Sequence, residues 1–292
     1  MSGAVGTIRS VTVGLLHPGA MGAAIGAQLV AAGQRCAWVP DGRGPGTRRR
    51  AEDAGLVALG GFDELATCEV VLSVCPPAAA REVARQVART GFTGCYVDAN
   101  AISPRHSREI AEALTSAGAT FVDGGIVGPP PLRADTTRLY LSGPDDAVSR
   151  VRALFEGTAL TPVVTPGAVG AASALKLAFA TYNKISTVLA AQAYALARHH
   201  GVDTQLEELA AAALPATPLA APDRLTGAAE RAWRWAPEMR EIAQACDDAA
   251  LPPEIPEAAA TFLEHWRQHK DDPDLTLDRL LAALHRQGPA GA

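Results

Sequence analysis

Two polar residues stand out in the most apolar long stretch of this chain. Between Ala168 and Ala197 there is no proline, and good helix formers surround Lys176 and Asn183. Asn183 follows Lys176 by seven residues, which on an α-helix returns it to within roughly 20° of the same face. An ammonium and a carboxamide would then line one wall, about two turns apart. Apolar surroundings lower a lysine's pKa by desolvation, a condition under which it exchanges a proton near neutral pH. A plainer role is also open, with Lys176 snorkelling to water and Asn183 solvating a helix edge.

The second feature lies near the N-terminus. A buried-strand pattern, Val11 to Leu16, runs into the turn His17-Pro18-Gly19-Ala20-Met21-Gly22 and then a helix over Ala23–Ala32 that stops at Gly33. Strand, glycine turn and helix form the phosphate-cradling start of a Rossmann unit. Gly19 admits a pyrophosphate, Gly22 allows close packing, and the helix N-terminus faces the anion. His17, Pro18, Gly19, Ala20 and Met21 are therefore expected against a dinucleotide, although His17 replaces the first glycine of the fingerprint. A second strand, Arg35–Val39, ends at Pro40 and opens the loop Asp41-Gly-Arg-Gly-Pro-Gly-Thr-Arg-Arg-Arg50. Arg43, and Arg48 in the first turn of a helix capped by Thr47, suit a 2′-phosphate and point to NADP(H). Asp41 would admit NAD(H) instead.

These residues need a scaffold, and the alternation that follows supplies one. Strands are expected at Val70–Val74 and Cys95–Asp98, with helices from Ala78 and from Ser103, where Pro104 fits the first turn. The rhythm predicts an α/β fold, a Rossmann-type doubly wound parallel sheet followed by an all-helical C-terminal domain. Ligands of such sheets lie beyond the carboxyl ends of the strands, which places Val74, Cys75, Pro76 and Asn100 beside the cofactor. Phe121 to Pro131 reads as a strand entering a stiff Gly/Pro loop. A strand at Leu139–Ser142, one more helix and Pro162–Thr165 complete a first domain, residues 1–165. A long helix over Pro166–His200 opens the second domain, residues 166–292.

In that second domain, Pro215–Pro222 reads as a loop. Helices are expected near Thr226–Asp247, Ala258–His269 and Leu275–Arg286. Trp233, Trp235 and Met239 are expected in helix packing or a dimer contact, and Glu238 as a surface carboxylate. The remaining histidines show no metal-ligand spacing, and no metal is expected.

Composition narrows the function. A net charge of −5 gives no basic field for nucleic acid or an anionic membrane. No apolar run reaches membrane-spanning length, and Met1 to Ser10 lacks a leader's basic start and apolar core. The five cysteines are scattered without CxxC pairing, as in a reduced compartment. A cytoplasmic protein is expected.

The order of motifs resembles the β-hydroxyacid dehydrogenase and 6-phosphogluconate dehydrogenase superfamily. It runs from the turn ending Met21-Gly22, through Cys75-Pro76 and the Asp123-to-Gly128 loop, to Gly167-Ala-Val-Gly170 before Lys176. The details are similar to a bacterial subgroup of NAD(P)-dependent oxidoreductases with a phosphogluconate-dehydrogenase-like C-terminal domain. His17 to Gly22, Ile126 to Pro131 and Trp233 to Met239 carry that likeness.

The resemblance implies that Lys176 stands at the superfamily's catalytic lysine, donating a proton as hydride reduces a carbonyl and accepting it in reverse. It also implies substrate contacts at Val127, Gly128 and Pro129. There the superfamily's Ser-Gly-Gly has lost its hydroxyl, so a small hydroxy acid fits less well than a larger or less anionic substrate. The family's Asn three residues beyond the lysine is Phe179, and Asn183 is expected to replace it. An imine reductase of the same fold, or a non-catalytic dinucleotide sensor, is the competing reading. A homodimer is expected, because a helix apolar on all sides needs cover and the superfamily commonly pairs through this domain.

Overall fold

The computed structural model describes residues 12–270 and 272–285. The readings that fall on Met1–Val11 and Arg286 lie outside them. By its internal contacts the chain forms two compact units, Met1–Lys176 and Leu177–Ala292.

The first unit is built on an eight-stranded sheet ordered β3-β2-β1-β4-β5-β6-β7-β8. Its strands are β1 (Thr12–Leu16), β2 (Arg35–Trp38), β3 (Val57–Ala58), β4 (Val70–Ser73), β5 (Cys95–Asp98), β6 (Thr120–Val127), β7 (Thr137–Ser142) and β8 (Leu160–Val164). The helices are α1 (Ala20–Ala31), α2 (Pro45–Asp53), α3 (Ala80–Arg89), α4 (Pro104–Ser116) and α5 (Asp145–Ala153). Period-two alternation explains the two-sided core. On β4, Val70 and Leu72 join one apolar cluster while Val71 joins the other, and Val97 and Tyr96 divide the same way on β5.

The sheet departs from the all-parallel expectation at one ladder, because β7 runs antiparallel to β6, pairing Gly125 with Tyr140. Only Gly128–Thr136 joins the two strands, too short a connection for a helical crossover.

Local chemistry also corrects several boundaries. Helix α1 starts at Ala20, inside the glycine turn, with Gly19 as its N-cap. Gly44, not Thr47, caps α2, because Pro45 has its φ preset for the first helical position. Ser103 does cap α4, accepting from the His106 amide at 3.2 Å, with Pro104 in the first turn. The long helix α6 covers Ala171–His199 and begins later than Pro166. Gly167 and Gly170 hold φ of +121° and +101°, outside the helical region.

The second unit is helical: the remainder of α6, then α7 (Asp203–Ala213), α8 (Arg224–Ala229), α9 (Ala232–Asp248), α10 (Glu254–Glu264) and α11 (Leu277–Ala282). The helix expected near Thr226–Asp247 is thus two, and Pro256 sits inside the first turn of α10, where proline is tolerated. Leu177, Ala191, Tyr194, Met239, Leu263 and Trp266 lie in its core. Packing accounts for Met239 and for the half-buried Trp235. Glu238 is no surface carboxylate. It is buried and ion-paired with the buried Lys184, whose ammonium stands 5.2 Å from the Trp235 ring centroid. A carboxylate at this depth persists because its charge is paired. Among the described residues no helix is long and apolar enough to cross a membrane.

Candidate active site

Lys176 occupies the second turn of α6, and the start of that helix is fixed by one carboxylate. Asp123, on the buried strand β6, is fully buried. Its Oδ1 accepts from the hydroxyls of Ser107 at 2.9 Å and Ser173 at 2.5 Å. Its Oδ2 accepts from the Ser142 hydroxyl at 2.9 Å and from the Gly170 and Ser173 amides, each at 3.0 Å. The Ser142 hydroxyl accepts in turn from the Ala172 amide at 3.1 Å. The orphan amides of the first helical turn are thus capped by a strand carboxylate, whose charge also suits the helix dipole.

Two glycines next to Asp123 let backbones close in. A Cβ on Gly125 would lie 2.8 Å from the Ala172 carbonyl oxygen and 3.0 Å from the Lys176 Cβ. A Cβ on Gly124 would lie 2.8 Å from the Asp98 carbonyl oxygen. The root of the Lys176 side chain therefore rests on the β6 backbone, held by an absent side chain below and a cap behind.

Asp98 ends the neighbouring strand β5 and interacts electrostatically with Lys176. Burial pushes the Asp98 pKa up to about 7 and the Asp123 charge adds to the rise, while hydrogen bonding to Asn100 and the Lys176 charge oppose it. One Asp98 oxygen accepts from the Asn100 amide at 3.0 Å, and the other is buried without a partner among the described residues. Asn100, expected at the cofactor, also ties two strand ends together. Its side-chain oxygen accepts from the Cys75 amide at 2.5 Å, and its Nδ2 donates to the Ser73 hydroxyl at 3.0 Å. The ends of β4 and β5 are thereby tied together, bringing Val74, Cys75 and Pro76 beside Asn100. Burial pushes the Cys75 thiol up to about 12, so it is no nucleophile near neutral pH.

At the glycine turn, His17 adopts φ +64°, a left-handed conformation costing a residue with a Cβ about 1–2 kcal/mol. Its carbonyl oxygen lies 2.6 Å from where a Gly22 Cβ would be, so Gly22 serves a close approach to the turn itself. A Cβ on Gly19 would meet nothing within 4 Å, and no side chain caps the α1 N-terminus. An open approach to uncapped first-turn amides fits the pyrophosphate of a dinucleotide.

The arginine loop is organised more tightly than the sequence suggests. Arg43 Nη2 lies 2.5 Å from His17 Nε2. Arg48 donates to the carbonyls of Pro40 at 2.9 Å and Arg43 at 3.1 Å, so it braces the loop. Arg50, the last of its charge run, donates to the Thr47 hydroxyl at 3.1 Å and the Pro18 carbonyl at 3.4 Å.

The expected substrate residues fall in both units. Val127 ends β6, and Gly128 holds φ +128° where a Cβ would lie 2.3 Å from the Thr136 carbonyl oxygen. The Pro129 carbonyl accepts from the Thr137 hydroxyl at 2.5 Å, which stiffens this loop. Asn183 is exposed, further along α6 than Lys176. Sequence reading passed over Asp123 as a cap, and Lys184 with Glu238. An Asp within an otherwise apolar strand was the available signal for the first, and nothing local marks the second.

The chain is similar to several known proteins. Residues 12–170 match the NAD binding domain of 6-phosphogluconate dehydrogenase, and residues 197–266 match a domain of unknown function, DUF1932. Over 127 residues, 42% of this chain, the sequence is 34% identical to the NADH-dependent oxidoreductase ucdB of Aspergillus ustus; that stretch spans 41% of the relative's length. The 3-hydroxyisobutyrate dehydrogenase of Mycobacterium tuberculosis, solved with L-serine, has a TM-score of 0.76 at 20% identity, covering 94% of this chain and 99% of that one. An imine reductase of Streptomyces aurantiacus has a TM-score of 0.58 at 17% identity, covering 94% and 100%. At these identities the two structures share a fold with this chain. The chain belongs to the family built on the NAD binding domain of 6-phosphogluconate dehydrogenase, and it has the hydroxyacid-dehydrogenase-like fold.

Proposed function

We propose that this protein is an NADP(H)-dependent oxidoreductase interconverting an alcohol and a carbonyl, with Lys176 as proton donor and acceptor. The observation that carries the reading is the seating of Lys176: its root rests on Gly125, its helix is capped by Asp123, and the buried Asp98 carboxyl interacts with it. A bound nicotinamide would supply or accept the hydride. Lys176 then protonates the oxygen of the reduced carbonyl and takes the proton back during oxidation. Pro18–Met21, Arg43, Arg48, Val74–Pro76 and Asn100 are the proposed cofactor contacts, with His17 against Arg43. Val127, Gly128, Pro129 and Asn183 are the proposed substrate contacts, and the cytoplasm the proposed compartment.

One feature favours imine reduction as the second reading, since Val127-Gly128-Pro129 offers no side-chain hydroxyl to a hydroxy acid. NADPH and NADH consumption over a panel of hydroxy acids, ketones, aldehydes and cyclic imines separates the two. Turnover of carbonyls supports the first reading, and turnover of imines alone replaces it with the second.

The cofactor preference is tested by replacing Arg43 and Arg48 together with Ala. Losing charge-assisted contacts worth about 1.5–3 kcal/mol should weaken NADPH roughly tenfold or more, with NADH little changed. Equal affinity of the wild-type protein for the two cofactors would refute the preference. The name of the Aspergillus relative specifies NADH, so both titrations are needed.

A homodimer is also proposed. Phe179, Tyr182, Leu189 and Leu196 are 51%, 71%, 59% and 62% exposed. With Ser186 and Ala193 they follow alternating three- and four-residue steps, one continuous face of α6. Light scattering should report a dimer at micromolar concentration, and Tyr182→Glu with Leu189→Glu should yield a monomer. A monomeric wild type would contradict the proposal.

A further inference from the structure

His17 takes a conformation that glycine would adopt freely, at the position where the dinucleotide fingerprint ordinarily has glycine. Its side chain reaches across to the loop after β2, where Nε2 meets Arg43 Nη2 at 2.5 Å. Arginine can only donate, so Nε2 must accept, and in the neutral ring the proton then resides on Nδ1. That Nδ1 is buried with no partner among the described residues, and the same holds for Arg43 Nε. The space over Gly19 is open, and a Cβ on Gly22 would crowd the His17 carbonyl oxygen at 2.6 Å, so the turn itself closes through its backbone.

We infer that His17 is a positioning residue for cofactor selection: its imidazole holds the Arg43 guanidinium beside the glycine turn, where the arginine meets the 2′-phosphate of NADP(H). The inference rests on the NADP(H) preference proposed above. Electrostatics agree with the geometry. Burial and the Arg43 charge hold the imidazole's pKa down to about 4, so the ring is a neutral acceptor at neutral pH. The groups acting on this pair are Arg43 on His17 and the Cys75 thiol on Arg43.

The test compares wild type, His17→Gly, His17→Asn, Arg43→Ala and His17→Gly with Arg43→Ala, titrating NADPH and NADH into each. Glycine restores the fingerprint and relaxes the backbone, so His17→Gly should fold and bind NADH within about twofold of wild type while losing roughly tenfold in NADPH affinity. Asparagine tolerates the left-handed region and offers a carbonyl to Arg43, so His17→Asn should recover part of the loss. The double variant should be no weaker than Arg43→Ala, since the histidine acts through the arginine. Nitrogen NMR of the wild type should show the Nδ1–H tautomer at neutral pH, and Arg43→Ala should raise the His17 pKa. If the wild type prefers NADPH but His17→Gly retains that affinity, or loses NADPH and NADH equally, the inference is overturned while the cofactor reading stands. A wild type without NADPH preference overturns both.

Discussion

Asp123→Ala should be the most destabilising single substitution in the sheet unit, costing about 3–5 kcal/mol. The carboxylate accepts from three hydroxyls and two amides, all buried. Removing it strands those donors without water, and each buried group left unsatisfied costs about 1–3 kcal/mol before relaxation. The amides of Gly170 and Ser173 also lose a negative partner at a helix N-terminus. Asp123→Asn keeps the volume but turns an NH2 group toward donors, so it should fall between alanine and wild type. Urea denaturation of the three proteins measures the difference. An alanine variant within about 1 kcal/mol of wild type would mean that the helix start, and with it Lys176, is held by something other than this cap.

Much of the scaffold was legible because its signals are local. Apolar runs such as Val70–Ser73, the turn from His17 to Gly22, and Pro104 after Ser103 each carry their structural meaning within a few residues. The start of α6 was not legible, since helix propensity through Ala168 and Val169 says nothing of the φ that Gly167 and Gly170 adopt. Nor was the Asp123 hub, which gathers Ser107, Ser142, Gly170 and Ser173 from widely separated segments. The Lys184–Glu238 pair spans 54 residues, and the helix pattern drew attention to Asn183 beside it. Cofactor-loop residues were found by type, but the distant partners that hold them were not legible. Asn100 ties β4 to β5, and Arg48 braces the loop in which Arg43 meets His17.

The second large effect concerns Lys176 itself. Methionine keeps the length and helix propensity of lysine but removes the proton, so Lys176→Met should fold and bind NADPH with an affinity close to wild type. Turnover should fall roughly 10²-fold or more, as expected when a general acid is lost. A second consequence follows at Asp98, whose pKa the Lys176 charge lowers, so removing that charge should raise it further. The decisive measurement is the rate of hydride transfer under saturating NADPH, with a substrate found in the carbonyl and imine panel, for wild type and Lys176→Met side by side. The account predicts a drop of about 10²-fold or more at unchanged NADPH affinity; a variant within a few-fold of wild type, with chemistry rate-limiting, would contradict it.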